Sequence, residues 1–274
     1  MKSIIYTFLL LTLILFSCEE QMVVIPDIVV PETDKVVLVE ELTGVSCPNC
    51  PKGAATVMAI LDQFEGKVVA YEVHGNLLTD PLPESKYDFR NPDAIELEEF
   101  LKPFWGKPSA SINRVLFDGQ DFASTTIVDL WPSFVEEELQ KPQVLDIVIA
   151  PSYDPSNRTA QFNVGVSAID DIEGNLQLHV GIIDSHLIDP QEDNGAIIPD
   201  FEHNHVLKEL LTQISGDDVA NGMQSGDNVS RAYNYTVPAE NIGEWKIENM
   251  EVVAFITSSN ANGEVLQAAS VHIN

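Results

Sequence analysis

Two cysteines three residues apart, Cys47-Pro48-Asn49-Cys50, stand where a run of β-branched residues gives way to a helical repeat, and this junction constrains the fold more than any other stretch of the chain. The sequence VVLVEEL ending at Leu42 has the density of a buried strand, and Thr43-Gly44 breaks it. Pro51 suits an early helical position, and Ala54, Val57, Met58, Ile60, Leu61 and Phe64 recur at helical spacing until Gly66. Lys67 to His74 (KVVAYEVH) reads as a second buried strand, so Val36 to His74 forms a β-α-β unit. The first thiol then lies at the positive end of the helix. Unpaired backbone N–H groups and the helix dipole favour thiolate there, and thiol pKa values in such motifs fall from ~8.5 to roughly 3.5–7.5. The second sulfur, about one turn on, can attack a mixed disulfide formed by the first, which is thiol–disulfide exchange. On this reading Cys47 is the nucleophile and Cys50 the resolving thiol. A structural disulfide and half of a zinc site are the competing readings; zinc would need two more ligands, with only His74, His203 and His205 as obvious donors, none at close ligand spacing to the pair.

The amino terminus has a different character. Met1-Lys2 precedes a nearly unbroken apolar run from Ile4 to Phe16 and then Ser17-Cys18-Glu19-Glu20, the layout of a leader with its cleavage point. The run is shorter than the ~20 apolar residues that span a bilayer. A cysteine at the cut, after Leu15-Phe16-Ser17, resembles a bacterial lipobox, which implies a signal peptide over 1–17 and lipidation of Cys18. Each buried CH₂ of such chains stabilises attachment by about 0.8 kcal/mol, so the membrane is an expected partner through this anchor. Glu19 and Glu20 resemble the signal that sends some lipoproteins of Bacteroidetes-type bacteria to the cell surface. Residues 18–34, with Pro26 and Pro31, read as a lipidated tether.

Forty-three acidic residues against 14 basic ones give a formal charge of -29, which argues against nucleic acid or an anionic lipid face as a partner. Beyond the β-α-β unit, Gly75 to Gly106 is a Pro-punctuated insertion with one helix near Asn91 to Leu101. A strand from Ser109 to Phe117 follows, then a helix within Phe122 to Gln140, with Trp131-Pro132 marking a kink or a late start. Pro142 marks a boundary. After it the pattern is of strands alone: Val144 to Ile149, Ala160 to Ile169, Leu176 to Ile183, Asn228 to Val237, Met250 to Ser258 and Val265 to Ile273. These fit an antiparallel, immunoglobulin-like sandwich over 142–274. Residues 184–221 read as a loop and helix insertion, with the helix near Val206 to Ile214. Within it His203 and His205, with His186 nearby, are read as packing residues rather than metal ligands, and Asp189 to Gly195 as a solvated loop. No metal and no cofactor is expected.

The order of these features resembles the thioredoxin superfamily: the strand VVLVEEL, CPNC at a helix start, the strand KVVAYEVH, and Lys107-Pro108-Ser109 directly before a strand. The resemblance implies an α/β thioredoxin-like domain over 35–141, a cis Pro108 facing the redox pair, and Glu41, six residues before Cys47, as a buried acid that assists proton transfer from the resolving cysteine. An exposed strand-edge carboxylate is the other reading of Glu41. Ser46 in place of the usual tryptophan, and Pro51 after Cys50, depart from thioredoxins proper. Together with the lipobox, the strand-rich second half and the segment Ile198-Pro199-Asp200-Phe201-Glu202-His203-Asn204-His205-Val206-Leu207, they resemble the twenty-eight-kilodalton outer-membrane protein family of Bacteroidetes-type bacteria. That implies an outer-membrane lipoprotein on the periplasmic face or the cell surface. Two functions follow: exchange with a protein thiol or disulfide substrate, or binding and adhesion with the cysteines as a permanent staple.

Overall fold

The computed structural model describes residues 34–238, 246–259 and 263–273. The leader, Cys18 and nearly all of the tether lie outside them. The first part is mixed α/β: β1 (Val37–Leu42), α1 (Cys50–Gln63), β2 (Val68–Val73), α2 (Pro92–Phe100), β3 (Ser109–Ile112), β4 (Ser124–Thr125) and α3 (Trp131–Leu139). β1 runs parallel to β2 and antiparallel to β3, which pairs antiparallel with β4, giving the order β2-β1-β3-β4. Alternation along the strands assigns the two faces. Val37, Val39, Val68 and Ala70 meet Val57 and Ile60 of α1, Phe64 just beyond its end, and Trp131, Val135 and Leu139 of α3. Leu38, Leu42, Val69 and Val73 turn the other way, toward Ala94 and Leu97 of α2. Full burial of such side chains contributes about 1.5–3 kcal/mol each.

β3 is shorter than the sequence pattern suggests. Instead of continuing to Phe117, it stops at Ile112 because Asn113 and Arg114 adopt φ of 48° and 58°. Side-chain bonds hold that turn: Asn113 Oδ1 accepts from Leu38 N at 2.8 Å and its Nδ2 donates to Glu138 at 2.9 Å. α3 takes the late start, with Pro132 in its first turn after a 3₁₀ turn over Val128–Leu130.

The second part is antiparallel: β5 (Leu145–Asp154), β6 (Thr159–Ala168), β7 (Ile172–Asp184), β8 (Leu187–Asp193), β9 (Ala196–His203), β10 (Val206–Leu210), β11 (Asp217–Met223), β12 (Asn228–Thr236), β13 (Met250–Ser258) and β14 (Val265–His272). One sheet has the order β12-β6-β5. It packs on β7 and β13 through a core that includes Leu145, Phe162, Val164, Leu178, Ile182 and Val252. All six strands read from the sequence are present. The stretch 184–221 departs from expectation: it forms β8, β9, β10 and most of β11, and Val206 to Leu210 is a strand rather than a helix. The spacing of VLKELL suits a helix locally, but buried Val206 and Leu207 find partners along β7, and tertiary pairing overrides the local preference. Val206 also pairs in parallel with Glu72 of β2. One sheet therefore runs through both parts in the order β14-β13-β7-β10-β2-β1-β3-β4, with β11 beside β7.

β8 and β9 form a separate hairpin, closed by Asn194 and Gly195 at φ of 48° and 86°, the left-handed pair that a tight hairpin turn requires. Asp189 to Gly195 is thus no solvated loop. Asp189 is fully buried, and its Oδ1 accepts from Lys86 N at 2.7 Å.

On β7, His179 stacks on Phe255 with ring centroids 4.4 Å apart and lies 3.1 Å from Thr257 Oγ1. Burial, helped by the nearby Arg114 charge, holds its pKa well below the ordinary value. The native state then refuses a proton that the unfolded chain accepts near pH ~6.5, so stability present above that pH is lost as pH falls below it. His179→Gln keeps a hydrogen-bonding group without the titration. Its acid-unfolding midpoint, followed by near-UV circular dichroism, is expected to move several tenths of a pH unit lower relative to its stability at pH 7.

Candidate functional site

Cys47 and Cys50 form a disulfide at the start of α1. α1 has no acidic residue in its first turn, and the side chain of Asn49 makes no capping bond; Pro51 carries no N–H, and the N–H groups of Cys50 and Lys52 donate to the carbonyls of Cys47 and Asn49 at 3.2 Å each. Gly44 lets the preceding loop press on Leu78: a Cβ on it would fall 2.1 Å from the Leu78 carbonyl oxygen, and Ser46 N donates to that oxygen at 3.2 Å.

Both cysteines are buried, Cys47 at 0 % and Cys50 at 1 % exposure. What covers them comes from more than 140 residues further along the chain. Gln191 Nε2, on β8, donates to the carbonyls of Gly44 and Cys47 at 3.2 and 3.1 Å. The backbone N–H groups of Glu192 and Asn194 donate to Val45 and Pro48 at 2.9 and 3.0 Å. The β8–β9 hairpin thus lies along the cysteine loop. Nothing in the periodicity of the sequence pointed to it.

Glu41 is completely buried on β1, which removes the exposed-edge reading, and neither carboxyl oxygen has a hydrogen-bond partner among the described residues. Burial pushes its pKa well up, the neighbouring Glu72 adds to the shift, and Lys107 opposes it. The Lys107–Pro108 peptide bond is cis. Glu41 and Pro108 converge on the same point of α1: a Cβ on Gly53, one turn beyond Cys50, would lie 2.4 Å from Glu41 Oε1 and 2.8 Å from Pro108 Cβ. Beside them an open groove of about 470 Å³ is lined by Asn49, Lys52, Lys107, Pro108 and the half-exposed Ile127.

Polar groups missed by the sequence reading lie at the carboxyl ends of β1 and β2. Lys107 Nζ is fully buried, 2.5 Å from Glu98 Oε2, and donates to the Thr43 carbonyl at 2.7 Å. Burial lowers its pKa, with Glu98 countering. Glu98 Oε1 accepts from the N–H groups of Asn76 and Leu77 at 3.1 Å each. Glu72 sits opposite Glu41 in the β1–β2 register, and His74, two residues on, shares its face. Glu72 was missed, whereas His74 and His203 were named from the sequence as possible donors to a zinc site with the cysteines; the i,i+2 spacing of Glu72 and His74 was the signal that could have joined them. His203 reaches this cluster, with its ring centroid 6.0 Å from that of His74. His205 does not share its face: it turns away at φ 56°, and its carbonyl accepts from Glu72 N at 2.8 Å. His186 is exposed and pairs with Glu202 at 2.5 Å.

Several known structures resemble this fold. HBP35 of Porphyromonas gingivalis matches with a TM-score of 0.67 at 16 % identity, over 88 % of this chain and 76 % of that one. A protein from Agrobacterium tumefaciens matches at 0.49 and 13 % identity, over 88 % and 96 %. A domain of the outer membrane lipoprotein Omp28 from Porphyromonas gingivalis matches at 0.34 and 17 % identity, over 48 % and 88 %. Among curated proteins the sequence finds no match. The family model "Outer membrane protein Omp28" matches residues 103–274, which begins after the cysteine pair and takes in Pro108, α3 and every strand of the second part. With more than half of its length matched, this outer-membrane protein belongs to the Omp28 family.

Proposed function

We propose that this chain is a lipoprotein anchored at the outer membrane through Cys18, in which a thioredoxin-like domain over 35–141 exchanges disulfides through Cys47 and Cys50, and an immunoglobulin-like sandwich over 142–274 serves as spacer or docking module. The observation that carries this reading is the convergence of Glu41 and Pro108 on Gly53, one turn beyond a disulfide at a helix start. The strand order β2-β1-β3-β4, with α1 and α3 on one face and α2 on the other, supports it.

In the oxidised state a substrate thiolate attacks Cys47 Sγ. A substrate–Cys47 bond forms, the Cys47–Cys50 bond breaks, and the electron pair leaves on Cys50 Sγ. Glu41 holds a proton because burial and Glu72 raise its pKa, so it can protonate that thiolate. A second substrate thiolate then displaces Cys47, releasing an oxidised substrate and a reduced pair. Two electrons pass from substrate to protein. In an outward-facing location without an electron source, oxidation or isomerisation fits better than reduction.

The complete burial of Cys47 under the β8–β9 hairpin favours a second reading, a binding lipoprotein in which the disulfide is a permanent staple. Redox titration separates the two. The detergent-solubilised full chain is equilibrated in glutathione and dithiothreitol buffers, and free thiols at Cys47 and Cys50 are counted by alkylation and mass spectrometry. Exchange predicts a midpoint between about -120 and -270 mV, and Cys47→Ser that keeps the fold but oxidises no dithiol peptide. A midpoint below about -300 mV, or reduction only with unfolding, establishes the staple.

A further inference from the structure

We propose that Glu72, His74 and His203 form a buried site for a divalent transition-metal ion, zinc by preference, with one nitrogen from each imidazole and one Glu72 oxygen as ligands. This revises the expectation that the chain holds no metal, and it is independent of whether the cysteines exchange disulfides.

The donor atoms of the three side chains lie within 4.8 Å of one another. Glu72 Oε2 and His74 Nε2 are 3.3 Å apart, close to the edge of about 3.4 Å in a tetrahedral centre with bonds near 2.1 Å. All three residues are buried, the two histidines at 1 % exposure each. One nitrogen of each ring, Nδ1 of His74 and Nε2 of His203, has no hydrogen-bond partner among the described residues. An orphaned nitrogen in a protein interior costs about 1–3 kcal/mol, a cost that an ion bound at His203 Nε2 would relieve, while His74 offers the Nε2 that already lies against Glu72.

The surroundings orient the donors as metal sites do. The His203 ring hydrogen-bonds to the main chain at Asp189 and Pro190, which favours a ring proton on that side and leaves the Nε2 lone pair free. Glu72 lies on β2 and His74 just beyond its end, and the third ligand arrives at the end of β9, where Leu187 pairs with His203. Phe89 and Phe201 pack on the His203 ring at 4.7 and 4.8 Å, and Phe89 also meets His74 at 5.0 Å, so the walls are apolar.

Charge favours a dication. Glu41 is the register partner of Glu72, so two carboxyl groups meet at this place, and a dication would offset the charge they carry when ionised. The facing cations are Lys107, which is paired with Glu98, and Lys208, which lies over the Phe89 ring. Two nitrogens and one oxygen suit zinc, whereas magnesium and calcium require oxygen donors throughout.

The untagged full chain in detergent, treated with chelator and verified to keep its Cys47–Cys50 disulfide, is titrated with zinc chloride by calorimetry and with cobalt by visible absorption. The expected result is one zinc per chain and a cobalt spectrum with ligand-field bands but no thiolate charge-transfer band. Affinity should fall at least tenfold in His203→Ala and in Glu72→Gln, and stay unchanged in His186→Gln. Absence of saturable binding to the wild-type chain would overturn the proposal, as would full affinity in both ligand variants or loss in His186→Gln. If His203→Ala does not fold, Glu72→Gln, which keeps the side-chain volume, and the wild-type cobalt spectrum decide the matter.

Discussion

Replacing Arg114 with alanine is expected to destabilise the protein by about 3–5 kcal/mol, the cost of stripping one partner from a buried ion pair. Arg114 donates from Nε and Nη2 to the two carboxyl oxygens of Glu40 at 2.9 and 2.7 Å, and Glu40 is fully buried. Tyr71 donates to the same carboxylate. The guanidinium also lies over the rings of Phe100 and Phe255, 5.2 and 5.0 Å from their centroids. It therefore ties β1, α2 and β13 together. With alanine at 114, Glu40 keeps its desolvation cost and loses its counter-charge. Urea denaturation followed by circular dichroism measures the loss. The double variant Arg114→Met with Glu40→Leu should recover much of it, because an apolar pair carries no desolvation penalty. A loss below about 1 kcal/mol in Arg114→Ala would mean that the pair behaves as a solvated surface bridge.

The second large effect is steric. Gly44→Ala is expected to cost about 3 kcal/mol, toward the upper end of overpacking penalties. The added Cβ would meet the Leu78 carbonyl oxygen at 2.1 Å and carbon at 2.8 Å, and Thr79 Cγ2 at 2.7 Å. Backbone atoms cannot rotate aside, so the cysteine loop must part from the Leu78 segment. That movement strains the bonds that bring Cys47 under Gln191, since Gly44 O accepts from both Cys47 N and Gln191 Nε2. Thermal unfolding should therefore be accompanied by faster alkylation of the reduced cysteines. Gly106→Ala is the control: nothing lies within 4 Å of its Cβ position, and a change within about 0.5 kcal/mol is expected.

The elements read most cleanly from the sequence were those whose signal is short-range. β1, α1 and β2 carry period-two and helical patterns within a dozen residues, and the burial of Val37, Val39, Val57 and Ile60 follows those patterns. The same holds for the strands of the second part. Glu41 carried two readings, a buried acid implied by the resemblance and an exposed strand-edge carboxylate, and only the structure decided between them by burying it completely. Where the reading went astray, a distant partner outweighed the local pattern. Val206 to Leu210 has helical spacing yet becomes a strand, because β7 and β2 offer edges on which Val206 and Leu207 are buried. Ile112 ends β3 early because Asn113 and Arg114 are held by Leu38, Glu138 and Glu40, residues 25 to 75 positions away.

By itself, then, the sequence determined the alternation of strand and helix in the first part, the strand-rich second part, the junction at which Cys47 and Cys50 sit, and the acidic character of the surface. These are consequences of side-chain spacing along one segment. Tertiary structure alone decided that one sheet runs through both parts, that the β8–β9 hairpin buries the cysteine loop, and that His203 comes to rest against Glu72 and His74. Such contacts join segments more than a hundred residues apart. They depend on register and on which edges remain free once the local elements have formed, and a pattern within any one segment does not contain that information.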